Sequence, residues 1–344
     1  MNILLVAGPG ISLAEPFNSG IEAFIVAFAN QLIEDGHTVD VVAAGGHRDA
    51  RFGIINPFKA SNSDSSSFFL RLLEKIQFRF MDVSRYDIIH YNMFYPHLLN
   101  LGSKFNKPSV MTLHSPTDEK RVSVYKKLAN KGGLQFVAIS ERIKSQWEKA
   151  LDRPLPLISN GINMACWPCK TTSDGAYLLW SGRINTQKNV AAAISLAKKL
   201  QLTLMIAGRL ADEDYFNREV GPHLGAQIQY LGHLQQSELS ALAQNAIAFL
   251  ATATWQEPFG LAALEMLASG VPVIGFSSAL PTDWSSESVL TALSHRWMDL
   301  EGFVDKCKFI SPQTCRAFAS TMSVKKMSAA YVRLYSEKAF KNNT

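Results

Sequence analysis

Two glutamates eight positions apart frame the stretch most suited to chemistry in this chain, Glu257-Pro258-Phe259-Gly260-Leu261-Ala262-Ala263-Leu264-Glu265. An ionised carboxylate only accepts hydrogen bonds, so it suits paired hydroxyls such as a ribose diol or the ring hydroxyls of a sugar. Gly260 stands where a helix should begin, and Leu261–Ala268 is built of good helix formers. The unpaired backbone N–H groups of such a helix start suit a diphosphate or sugar hydroxyls. Glu257 then lies in the loop before the helix, and Glu265 about one and a half turns into it. One carboxylate can stand beside a sugar while the other reaches further along the same ligand. An amphipathic helix with two solvated glutamates would explain the spacing alone; the Pro-Phe-Gly-Leu turn and the Gly270-Val271-Pro272-Val273 exit make the phrase more specific.

Four other motifs fall short of the chemistry they suggest. Gly8-Pro9-Gly10-Ile11-Ser12-Leu13 lacks the third glycine of the dinucleotide fingerprint, and its proline removes a donor. Asp212-Glu213-Asp214 has the D-x-D form of a metal motif but sits in a polar stretch after Gly208-Arg209. His47-Arg48-Asp49 has no asparagine five residues after the aspartate, as a kinase loop requires. Cys166-Trp167-Pro168-Cys169 has no second close pair in Cys307 and Cys315 to complete a zinc site, and is read as a reduced structural pair.

The elements that position these residues alternate. Short apolar runs at Asn2–Ala7, Thr38–Ala43, Ile88–Tyr91, Ser109–Thr112 and Phe136–Ile139 read as buried strands. Helical spacing over Ile21–Glu34 stops at Asp35-Gly36-His37, and Ser61–Ser67 reads as a polar loop. The pattern restarts with Ala176–Trp180, Leu202–Ala207, Ile228–Leu231, Ala246–Leu250 and Val271–Ile274. Alternation of this kind predicts parallel sheets with helices on both faces. The chain is therefore expected to be α/β, with two Rossmann-like doubly wound domains facing across a cleft and ligands at the carboxyl ends of the strands. The expected boundaries are 1–163, 164–320 and a terminal helix over 321–344, whose apolar spacing runs through Met327, Ala330, Tyr331, Leu334 and Tyr335.

The Glu257–Glu265 phrase closely resembles the Glu-x7-Glu signature of the retaining family 4 glycosyltransferases of GT-B fold. Ser181-Gly182-Arg183 with Lys188 resembles that family's Gly-Arg…Lys phosphate clamp, and Ser159-Asn160-Gly161-Ile162-Asn163 its Asn-Gly-Val-Asp turn. Thr112-Leu113-His114 is similar to its strand-end histidine, and Tyr230-Leu231-Gly232-His233-Leu234 to the loop that meets the base. Ser19-Gly20-Ile21-Glu22 is similar to its first glycine-rich turn, which more typically has two adjacent glycines. The resemblance implies catalytic roles for Glu257, His114, Arg183 and Lys188. It implies donor contacts at Gly20, Arg209, His233, Leu234, Phe259, Gly260, Leu261 and Glu265. It also implies transfer of a hexose, most readily from a UDP-sugar, with retention, by front-face attack, with no cofactor and no divalent metal. The terminal helix would cross back to the first domain. A UDP-sugar epimerase of related architecture and a catalytically silent nucleotide-sugar-binding protein are the alternatives.

Composition bounds the partners. The 344 residues are 47% hydrophobic and 18% charged, enough to bury two cores, and the net charge of +5 is too mild for a nucleic-acid module. Met1-Asn2-Ile3-Leu4-Leu5 enters a strand pattern without a basic leader, and no long apolar run follows, so a cytoplasmic protein is expected. Two basic stretches, Phe68–Phe80 and Lys120–Lys131, lie in the domain that receives the acceptor in the resembling family. Each fits either a core-facing helix with a solvated basic face or a helix resting on the inner, anionic face of a membrane.

Overall fold

The computed structural model describes residues 1–47, 50–57 and 75–341. The Ser61–Ser67 loop, residues 68–74 of the first basic stretch, and Arg48 and Asp49 lie outside them. The chain divides into two compact units. One takes Met1–Gly161 and the terminal segment from Val324, and the other takes Ile162–Ser323.

In the first unit six strands pair in the order β3-β2-β1-β4-β5-β6, all parallel. They are β1 (Asn2–Leu13), β2 (Thr38–Gly46), β3 (Gly53–Ile55), β4 (Ile88–Tyr91), β5 (Ser109–Leu113) and β6 (Leu134–Ala138). Its helices include α1 (Gly20–Glu34), α2 (Pro96–Gly102), α3 (Glu119–Lys131) and α4 (Glu141–Leu151). In the second unit β7 (Tyr177–Ser181), β8 (Thr203–Ala207), β9 (Ile228–Tyr230), β10 (Ala246–Ala251), β11 (Val273–Phe276) and β12 (Val289–Ala292) pair in the order β12-β11-β10-β7-β8-β9. These pairs too are parallel. Its helices are α5 (Val190–Leu200), α6 (Glu213–Glu219), α7 (Gln236–Ala243), α8 (Leu261–Ala268), α9 (Glu301–Cys307) and α10 (Pro312–Ser320); α11 (Val324–Lys341) ends the described chain. Both strand orders are the doubly wound Rossmann order, which reverses direction between β1 and β4 in one sheet and between β7 and β10 in the other.

Buried stripes hold each layer. On α1, Ile21, Phe24, Ile25, Phe28 and Leu32 follow helical spacing and are all buried against the sheet. Each such side chain contributes about 1.5–3 kcal/mol by leaving water. Met327, Tyr331 and Tyr335 of α11 lie one turn apart and join the same core. The two tyrosine hydroxyls are not orphaned: Tyr335 Oη lies 2.5 Å from His90 Nδ1, His90 Nε2 lies 2.6 Å from Thr112 Oγ1, and Tyr331 Oη lies 2.7 Å from Thr112 Oγ1. This chain of polar groups ties α11 to β4 and β5.

Three departures from the sequence reading have physical causes. Strand β1 does not end at Ala7; it continues through Gly8-Pro9-Gly10 to Leu13 with register shifts against β2. Gly8 and Gly10 have φ of +92° and +76°, which lets the bulged strand persist, and the Tyr95 hydroxyl donates to the Pro9 carbonyl at 2.8 Å. Edge strands β3 and β12, of three and four residues, are too short and too half-exposed to show an apolar run.

Candidate active site

The second sheet reverses between β7 and β10, and the carboxyl ends of these strands carry most of the residues singled out above. Gly182 follows β7 and packs on Gly208, which follows β8. A Cβ on Gly208 would stand 1.8 Å from the Gly182 carbonyl oxygen, so only glycine permits the approach. The loops are then laced together by Gly182 N–H to Ala207 O at 3.1 Å, Ile184 N–H to Arg209 O at 2.9 Å and Gly208 N–H to Gly232 O at 2.7 Å. Arg183 emerges from this knot half-buried, and its guanidinium makes no ion pair or hydrogen bond with any described residue. Arg209 is exposed, and His233 and Leu234 are half-buried after the left-handed Gly232.

Lys188 is brought to Glu257 by hydrogen bonds between the two loops. Trp180 donates its indole N–H to Thr252 Oγ1 at 3.0 Å, and that hydroxyl donates to the Asn189 carbonyl at 2.9 Å. Thr254 N–H reaches the Gln187 carbonyl at 3.0 Å. Lys188 Nζ then forms an ion pair with Glu257 Oε1. The same oxygen accepts the Trp255 indole N–H at 2.8 Å, and Lys188 Nζ lies 5.8 Å from the centre of the Trp255 ring. Glu257 is buried. Ser278 fixes its loop from both ends, accepting Glu257 N–H on its carbonyl at 2.9 Å and donating its hydroxyl to Ala253 O at 2.6 Å. Sequence reasoning did not single out Trp255 or Ser278; Trp255 stands two residues before Glu257 and was legible as a neighbour, whereas Ser278 is brought in only by the fold.

Helix α8 begins where the sequence suggested, with Gly260 at its N-cap in the left-handed region at φ +86°. The backbone before and at Leu261 therefore presents a helix start, while the Phe259 ring is buried edge-on against Trp284, 5.7 Å away. Glu265 is half-buried in the second turn and accepts from Gln236 Nε2 at 3.3 Å.

In the first unit, Gly20 is the exposed first residue of α1. Glu22, which sits in the same turn, is buried and accepts Ser19 N–H on Oε2 at 2.6 Å, capping the helix. His114 follows β5. Its Nε2 lies 2.9 Å from Asn92 Oδ1, and the Phe24 ring meets it edge-on at 4.8 Å. Burial pushes its pKa down to about 3, so the ring is neutral near pH 7. With Asn92 Oδ1 able only to accept, Nε2 carries the proton and Nδ1 is left as an acceptor. Asn92, at the end of β4, is a further positioning residue absent from the sequence reading.

The remaining motifs take structural parts. Asp212 is the N-cap of α6 and accepts Tyr215 N–H at 2.9 Å. Among the described residues no group of three or more histidines, cysteines and carboxylates is placed to hold a metal ion. Cys166 and Cys169 are not joined in a disulfide, and Cys169 Sγ lies 3.5 Å from the Pro312 carbonyl. No helix among the described residues is long and apolar enough to cross a membrane.

Two Rossmann-like units, each with its candidate residues at strand carboxyl ends, are those of a GT-B-type glycosyltransferase. Residues 18–165 match the family model "Glycosyltransferase Family 4", and residues 170–284 match "Glycosyl transferases group 1". Both halves of the chain thus carry glycosyltransferase domains. Glycogen synthase of Mycobacterium tuberculosis is 34% identical over 129 residues, 35% of this chain; the match spans only 31% of that protein's length. An uncharacterised glycosyltransferase of Methanocaldococcus jannaschii is 24% identical over 297 residues, covering 74% of this chain and 76% of the relative. Among solved structures, sucrose-phosphate synthase of Thermosynechococcus elongatus superposes with a TM-score of 0.79 at 15% identity, covering 98% of this chain and 99% of the other. Anabaena HepE in complex with UDP-glucose superposes at 0.76 with 16% identity, covering 98% and 100%. At these identities the superpositions establish the fold.

Proposed function

We propose that the chain is a retaining glycosyltransferase that moves a hexose from a UDP-sugar to a hydroxyl-bearing acceptor. The observation that carries this reading is the cation and carboxylate held together at the reversal point of the second sheet: Lys188 on Glu257, with Trp255 bonded to the same oxygen. A departing UDP develops negative charge. Arg183, Lys188 and the amides at the start of α8 would neutralise it, and preplaced donors of this kind are worth roughly 3–4 kcal/mol each. Glu257 would accept from sugar hydroxyls as the ring becomes cationic, and Glu265 from the ribose diol. Arg209, His233 and Leu234 are assigned to the nucleotide, the backbone of Phe259, Gly260 and Leu261 to sugar or phosphate oxygens, and Gly20 to close backbone approach. For His114 the proposed part is a hydrogen bond from a sugar hydroxyl to its neutral ring. The bond from the anomeric carbon to the phosphate oxygen breaks as the acceptor oxygen bonds to the same face, and the departing phosphate takes the acceptor's proton. No divalent metal enters this scheme. The UDP-glucose bound by the Anabaena protein supports the choice of base.

A nucleotide screen by thermal shift, followed by NMR of the product's anomeric configuration, tests the proposal. UDP and a UDP-hexose should stabilise the protein, by about 2.7 kcal/mol at ligand near 100 times Kd, and NAD should not. A shift with NAD and none with UDP, or an inverted product, overturns it.

A further inference from the structure

A groove of about 760 Å³ runs between α2 and α3 in the first unit, lined by none of the residues given a role above. Helix α3 divides into two faces. Tyr125, Leu128 and Ala129 are buried, whereas Lys120, Ser123, Val124, Lys127, Asn130 and Lys131 recur at helical spacing and line the groove. Positions seven and eleven residues apart return to within about 20° of one direction on a helix, so the three lysines form one row. None of the three forms an ion pair among the described residues; of the two acids at the helix start, Asp118 is taken by Arg121, and Glu119 stands next to Lys120 without an ion pair. His97 and Asn100 of α2 form the opposite wall.

We infer that this groove binds a small phosphorylated carbohydrate, its phosphate held by Lys120, Lys127 and Lys131 and its hydroxyls by Asn100, Ser123 and Asn130. A row of uncompensated ammonium groups repels itself, and a phosphate relieves that repulsion while using the lysines as point charges. Amide and hydroxyl side chains between the lysines can donate to and accept from sugar hydroxyls, which a bare anion does not need. The volume lies within the range of roughly 300–1,000 Å³ typical of small-molecule sites. This inference does not depend on the proposed transfer reaction.

The test is calorimetry on the full chain at low salt, with glucose 6-phosphate, inorganic phosphate and glucose as separate ligands, and UDP as a control. Glucose 6-phosphate should bind more tightly than inorganic phosphate, and glucose should not bind. Lys120→Ala, Lys127→Ala and Lys131→Ala combined should weaken glucose 6-phosphate by about tenfold or more while leaving UDP affinity and the unfolding temperature unchanged, because all three side chains are exposed. Affinity should fall as salt is raised. Equal binding by the triple variant, or no preference over inorganic phosphate, overturns the assignment. So does lysine-dependent retention on phosphatidylglycerol vesicles without measurable affinity for glucose 6-phosphate. Loss of UDP binding in the unsubstituted chain would instead strike the proposed transferase activity and leave the groove standing.

Discussion

Glu257→Gln should move nucleotide binding and turnover in opposite directions. In the ligand-free chain the Lys188 ammonium is held by Glu257, and the two side chains are only 22% and 12% exposed. A diphosphate that recruits Lys188 must therefore take it from the glutamate. An exposed pair is worth about 0–1 kcal/mol, and a buried one costs about 3–5 kcal/mol to break by removing one partner. For this pair, buried at the glutamate and partly exposed at the lysine, we take about 1 kcal/mol of net attraction, with the cost of desolvating both charges already offset. Removing the negative charge while keeping the shape and an oxygen for the Trp255 indole should release that attraction, so UDP should bind about fivefold more tightly. Turnover should fall by at least about tenfold, because the carboxylate matters most when the sugar becomes cationic. Calorimetry with UDP and a coupled assay with saturating UDP-sugar measure the two effects. A variant that binds UDP more weakly would refute the competition for Lys188. One that turns over normally would remove Glu257 from the reaction.

Glu265→Ala should weaken UDP and the intact donor alike, by roughly 10- to 150-fold, the loss of a hydrogen bond to a charged group; a change confined to the donor in calorimetry would refute the ribose assignment. Arg183→Ala should cut turnover by about 10²-fold or more without shifting the unfolding temperature, since the guanidinium makes no ion pair among the described residues; normal turnover at saturating donor removes it from the site. Chelation by EDTA should leave turnover unchanged, and loss restored by manganese would refute the metal-free scheme. Burial lowers the pKa of both His90 and His114, the latter to about 3. The unfolded chain therefore binds more protons below about pH 6.5, so stability should be full above that pH and decline as pH falls, each ring adding up to about 1.4 kcal/mol per pH unit. Urea midpoints that stay flat from pH 6.5 to 5 in the unsubstituted protein, or a His114→Gln variant with an undiminished slope, would contradict this.

Local apolar patterning made the central strands and the α8 start legible, because a fully buried strand must be continuously apolar and a left-handed helix entry demands glycine. Four-residue Ile88–Tyr91 is legible to its ends because Ile88, Ile89 and Tyr91 frame His90 with apolar bulk. The edge strands β3 and β12 were not legible, since half-exposed backbone carries no such pattern, and the bulged extension of β1 hid behind Gly8-Pro9-Gly10, a sequence that elsewhere marks a turn. At the site, Glu257, Arg183 and Lys188 stood out by type and spacing. Trp255 could have been added from its place two residues before Glu257. Asn92, Ser278 and Gln236 could not, because each reaches its partner through pairing of strands distant in sequence. His90 was passed over as part of an apolar strand, although its two ring nitrogens meet Tyr335 and Thr112.

That buried link between His90, Thr112, Tyr331 and Tyr335 bears on the order in which the protein is made. The first unit is encoded first, yet the tyrosines that cover Phe28 and satisfy His90 lie in the last helix, beyond Ser323. The second unit has its whole sequence once Ser323 has emerged. At roughly 5–20 residues per second, a ribosome takes on the order of ten to thirty seconds to pass from Gly161 to Val324. Throughout that interval the nascent first unit holds an apolar face and a buried-type histidine uncovered, so the unit whose translation starts second is the first to have all its residues.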